Sequence, residues 1–134
     1  MGTSPSIVIQ IAVPPASSHL RRARHWVRDQ LDRDAGVDRA HVDAVQTVAN
    51  ELLGAAVQAG VAKPLTLSVE LFTRLTSVRV RCASDVDLRD EPFGMRENML
   101  QGLAFAWGKR NYGDGSVDLW AEVARPSIGQ PTGR

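Results

Sequence analysis

The side chains able to do chemistry fall into four groups. Glu51 lies at the edge of an apolar helical stripe, where a carboxylate reads as solvated. Asp85, Asp87 and Asp90 crowd an irregular polar stretch from Ala83 to Arg96. No His or Cys pattern accompanies them, so they read as a solvated loop and no metal site is expected. Arg21, Arg22, Arg24 and Arg28 make one helical stretch cationic, and such groups steer anionic partners. Asp29, Asp32 and Asp34 follow directly, which favours a solvated or partner-facing helix over a nucleic-acid grip. Cys82 sits on the apolar side of an alternating run with no His near it in sequence, and reads as a small core residue. His19, His25 and His41 lack ligand-like spacing and are expected to be at the surface or half-buried.

Composition narrows the classes. The chain of 134 residues fits one domain and can bury a real core. Its hydrophobic share of 43% and charged share of 23% are ordinary for a globular protein. A formal net charge of +1 draws the whole molecule neither to nucleic acid nor to acidic surfaces. Trp26, Trp107 and Trp120 are too scattered to make a base-stacking platform. The single cysteine fits a reducing compartment, and no apolar run approaches a membrane span. A cytoplasmic location, with neither membrane nor nucleic acid as partner, is the expectation.

The elements that must position these groups follow from periodicity. Residues 1–6 read as a flexible leader, 7–124 as one domain, and 125–134 as a flexible tail. Ile7, Ile9, Ile11 and Val13 alternate as a strand that Pro14 and Pro15 stop. Ser17 or Ser18 can cap a helix from about His19 to Asp32, with Leu20, Ala23, Val27 and Leu31 on its apolar face. Asp38 can cap a second helix and Gly60 can end it; Val42, Val45, Ala49, Leu52, Leu53 and Ala56 form its stripe. Leu65–Leu71 and Val78–Cys82 alternate as strands with one polar and one apolar face. A shorter helix is expected over roughly Glu97–Trp107, carrying Met99, Leu100, Leu103 and Phe105. Gly113-Asp114-Gly115 then turns into a last strand bearing Val117, Leu119, Ala121 and Val123. The order β-α-α-β-β-α-β predicts an α/β (α+β) two-layer sandwich: a mixed, mostly antiparallel sheet with helices on one face. Leu52, Leu53, Ala56, Val69, Val80 and Leu119 are the expected core.

This order, with these spacings, resembles the GHKL (histidine-kinase-like, Bergerat) ATPase fold in its short, actinobacterial anti-sigma-factor kinase form, over about Ile7–Val123. Four pieces carry the resemblance. Arg21-Arg22-Ala23-Arg24-His25-Trp26-Val27-Arg28 resembles the family's first helix. Val48-Ala49-Asn50-Glu51-Leu52-Leu53-Gly54-Ala55-Ala56-Val57-Gln58-Ala59-Gly60 resembles its N-box helix. Trp107-Gly108 and Leu119-Trp120-Ala121-Glu122-Val123 match an aromatic-glycine step and the last strand.

In active relatives the N-box offers a Glu, as or beside a general base, and four residues later an Asn that holds magnesium. Here the resemblance puts Glu51 at the first position and Ala55 at the second, and a methyl group gives Mg²⁺ no oxygen ligand. The family's adenine-binding Asp falls on Ser84, with Asp85 next, and a one-residue bulge would bring Asp85 into that role. The glycine that normally follows is replaced by Val86, Asp87 and Leu88. The phosphate-binding Gly-x-Gly-Leu falls on Gly94-Met95-Arg96-Glu97, keeping the first glycine and losing the second to Arg96. With three elements altered, the resemblance implies a non-catalytic regulatory domain of anti-sigma-factor type, binding a sigma factor or an anti-sigma antagonist. The exposed arginines Arg21, Arg22 and Arg28 are the candidate contacts, and no cofactor is expected. The alternative is an ATP-dependent serine/threonine kinase with an atypical site, which would use Mg-ATP. A self-pairing scaffold descended from a sensor kinase's ATPase domain is the third reading, and the sequence leaves a homodimer open.

Overall fold

The computed structural model describes Pro5 and residues 7–33, 37–58, 60–83 and 102–125. Strand β1 (Ile7–Val13) leads to helices α1 (Ser17–Asp32) and α2 (Arg39–Gln58). Strands β2 (Leu65–Leu71), β3 (Leu75–Ala83), β4 (Ala106–Asn111) and β5 (Ser116–Ala124) follow. They form one five-stranded sheet in the order β1-β2-β3-β5-β4. Every described pairing is antiparallel, where the sequence reading expected a mixed sheet.

The alternating strands bury one face each. Ile9 and Val13, all four leucine and valine positions of the β2 row, Val78, Val80 and Cys82, and Val117, Leu119, Ala121 and Val123 lie in one core. The helices supply its other half: Ala23, Val27 and Leu31 from α1, and Val42, Val45, Val48, Ala49, Leu52, Leu53, Ala55 and Ala56 from α2. α2 lies over β3, β5 and β2, while α1 packs on α2 and β1. All six expected core residues are fully buried. Polar residues of the same strands, among them Ser68, Glu70, Arg79, Arg81, Trp120 and Glu122, occupy the sheet's other face.

Two local expectations need correction. α1 begins at Ser17, so Ser17 and Ser18 stand in its first turn and do not cap it; Ala16, extended at φ −142°, is the cap position and makes no side-chain capping bond. Its carbonyl instead accepts from the His19 and Leu20 amides at 3.0 and 3.1 Å. The expected third helix fails at its end. Residues 97–101 lie outside the described residues, only Gly102 and Leu103 are helical, and Ala106–Asn111 is a strand. Ladder pairing decides this. Trp107 faces Ala121, Lys109 faces Leu119, and the Phe105 amide donates to the Glu122 carbonyl at 3.0 Å. The apolar side chain of Phe105, expected on that helix, is 57% exposed beside β4.

Glycine matters at two places. α2 ends as expected at Gly60, whose φ of +88° suits a residue without Cβ, and its amide donates to the Val57 carbonyl. On β4, a Cβ at Gly108 would come within 3.1 Å of the Trp120 indole, so this glycine lets the ring lie across the strand.

His41 is buried more deeply than the expected surface or half-buried position. It is 4% exposed at the start of α2, with Nε2 2.6 Å from the Thr76 hydroxyl on β3. Burial first, and the Arg125 charge second, push its pKa below the usual value of 6.5, against a backbone hydrogen bond at Ala124 that raises it. The native state therefore holds a neutral ring and the unfolded chain binds the proton more readily. Stability from this group is complete above pH about 6.5 and is lost as pH falls through the folded-state pKa, by at most about 1.4 kcal/mol per pH unit. Urea midpoints should be lower at pH 5 than at pH 7.5, and His41→Gln should flatten that difference. An equal pH slope in the variant would show that another group is responsible.

Candidate functional site

The N-box resemblance rests on α2, so its two positions are the first to place. Glu51 and Ala55 are one turn apart, and their environments differ. Glu51 is partly exposed and engaged in an interaction, whereas Ala55 is fully buried within the core that also holds Leu52 and Ala56. The position from which the resemblance implies a magnesium ligand thus points a methyl group into apolar packing. The other positions of the implied nucleotide site, Ser84, Asp85, Gly94 and Arg96, lie outside the described residues, as do Asp87 and Asp90. Among the described residues, no group of three His, Cys, Asp or Glu side chains is placed to hold a metal. Cys82 is fully buried between Leu65 and Val117 of the neighbouring strands. Burial, and secondarily the Asp118 charge, push its thiol up to about 11, so no thiolate is at hand near neutral pH.

The arginines of α1 divide into two sets. Arg21 and Arg22 are exposed, as a partner-facing role requires. Arg28 is turned onto α2: Nε donates to Gln46 Oε1 at 3.1 Å, Nη2 donates to the same oxygen at 2.8 Å, and Nη2 also pairs with the Asp43 carboxylate. Gln46 in turn donates through Nε2 to the Arg24 carbonyl at 3.2 Å. This network ties the two helices together. It also floors a cleft of about 410 Å³ between them, lined by Arg24, His25, Arg28, Gln46, Thr47 and Asn50.

No family model matches this chain, and no curated protein does.

The polar face of the sheet holds a second concave region among the described residues. Two adjoining hollows of about 300 and 170 Å³ share Arg79 and Asp118. Asp118 is only 3% exposed, because Arg81 and Tyr112 close over it. Arg81 Nε donates to Oδ1 at 3.0 Å, the Tyr112 hydroxyl donates to Oδ2 at 2.7 Å, and the Arg81 guanidinium lies 4.4 Å from the Tyr112 ring centre. Arg79 is paired with Glu70 at 2.9 Å. Two ion pairs, Arg79–Glu70 and Arg81–Asp118, thus lie on the polar face, which has the chemistry of a solvated sheet surface. Sequence reasoning missed the α1–α2 cleft. The arginines were visible, but their partners on α2 are 15 and 18 residues away, and no local periodicity reports that.

Proposed function

We propose that the chain is a non-catalytic regulatory domain that works by binding a protein partner, of the anti-sigma-factor type that its sequence resembles, in the cytoplasm. Burial of Ala55 carries the reading. The side chain at the implied metal position is apolar, has no contact with solvent and sits in the core, so Mg²⁺ has no oxygen there to bind. What the exposed surface of the helical layer offers instead is arginine: Arg21 and Arg22 at the surface, and Arg24 and Arg28 at the cleft. Arginine is enriched where proteins bind one another, and charge on a surface speeds the encounter. No described helix is long and apolar enough to cross a membrane. The alternative, an ATP-dependent serine/threonine kinase, retains Glu51 alone among the described residues of the implied site.

A nucleotide titration separates the two. Millimolar Mg-ATP should leave the melting temperature unchanged. A ligand stabilises the native state by RT ln(1 + [L]/Kd), so an unmoved midpoint places Kd at or above the ligand concentration. A clear rise with Mg-ATP, or calorimetric binding in the micromolar range, would put the kinase reading first. Glu51 would then be the residue to replace.

A further inference from the structure

The α1–α2 cleft has two arginines and no acid among its lining residues. Of its six lining residues two are the cations Arg24 and Arg28, and the other four, His25, Gln46, Thr47 and Asn50, are hydrogen-bonding side chains. Arg21 extends the same stripe one turn toward the start of α1, since positions 21, 25 and 28 share a helix face. The Asp43 carboxylate is paired with Arg28. Arg28 is also held in place by Gln46, so its guanidinium is presented without further ordering. Its Nη1 amine donates to no described residue, and the Arg24 guanidinium has no described partner either. One guanidinium held in place by α2 and a second with no described partner, at one opening of a chain whose net charge is only +1, are a local feature and not a general basic coat.

We propose that this cleft binds an acidic segment of a protein partner, with carboxylates of the segment accepting from Arg24, Arg28 and Asn50. The proposal rests on the protein-binding reading above and gives that partner its chemistry. Arginine matches a carboxylate as a two-pronged donor, and the amide of Asn50 can donate beside it. The cleft, at about 410 Å³, has room for a few side chains. No Phe, Tyr or Trp lines it for a base to stack on, and His25 is the one ring among its lining residues.

The test is a heteronuclear NMR titration of the full chain at low salt with a synthetic decapeptide rich in Asp and Glu. A Lys-rich peptide of equal length, inorganic phosphate and a single-stranded oligonucleotide serve as comparisons. The acidic peptide should shift amides at residues 24, 25, 28, 46, 47 and 50, and the Lys-rich peptide should not. Arg24→Glu should weaken binding about tenfold or more, as should Asn50→Asp, which adds a carboxylate with almost no change in volume. Both positions are partly exposed, and unchanged circular dichroism would verify that each variant is folded. Shifts confined to other surfaces, unchanged affinity in both folded variants, or equal occupancy by phosphate or oligonucleotide would each overturn the proposal. These outcomes are independent of the nucleotide titration. A partner captured by the chain but indifferent to Arg24→Glu would remove the cleft and leave the protein-binding reading standing.

Discussion

Replacing Ala55 with asparagine, the residue that the family resemblance would place there, should lower the melting temperature by roughly 6–24 °C and create no affinity for Mg-ATP. Ala55 has no exposed surface, and the core of Val48, Leu52, Ala56 and the sheet surrounds α2 on its inner side. Asparagine adds an amide with two donors and an acceptor to that packing. Leaving such groups without partners costs about 1–3 kcal/mol, and forcing extra volume into a filled core costs about 1–3 kcal/mol more. For a chain of this length each kcal/mol moves the midpoint by about 3–4 °C. The measurement is a thermal melt of both proteins with and without Mg-ATP. A variant as stable as the parent, or one that ATP stabilises, would mean that this face of α2 opens to a ligand and that the regulatory reading is wrong.

Leu119→Ala should be comparably damaging, for a different reason. Leu119 is fully buried on β5, the strand that pairs β3 on one side and β4 on the other, directly between Val80 and Lys109. Truncation removes buried methyl groups and leaves a cavity that two paired neighbours cannot readily close. Substitutions of this kind cost about 2–5 kcal/mol. The urea midpoint should fall with an unchanged slope, because the surface exposed on unfolding is nearly the same. Phe105→Ala is the control. Its side chain is more than half exposed beside β4, and its removal should cost within about 0.5 kcal/mol. If the two substitutions had equal effects, the core would not be where the alternating strands place it.

What could be read in the amino-acid sequence is whatever neighbouring residues encode together. The bounds of β1 and β2 follow from alternation of Ile, Leu and Val with smaller or polar residues, and the stripes of α1 and α2 from 3.6-residue spacing. Gly60 ends α2 where a positive φ is needed. The six core residues could be named because each lies on the apolar side of such a pattern. The two-layer arrangement followed because amphipathic helices and half-apolar strands have only each other to cover them.

Tertiary structure alone decided the rest. Ala106-Trp107-Gly108-Lys109-Arg110-Asn111 has no alternation to mark it as a strand; its partly exposed residues become β4 because β5 presents an unpaired edge for them to complete. His41 is buried by Thr76, 35 residues away, and Asp118 by Arg81, 37 residues away. The cleft exists because two helices cross at a place where Arg28 meets Asp43 and Gln46. Periodicity states which side of an element seeks the core, a property of adjacent residues. It carries no term for which residue of a distant element will stand opposite, because that depends on how the whole apolar surface is closed, and only the closed core sets it.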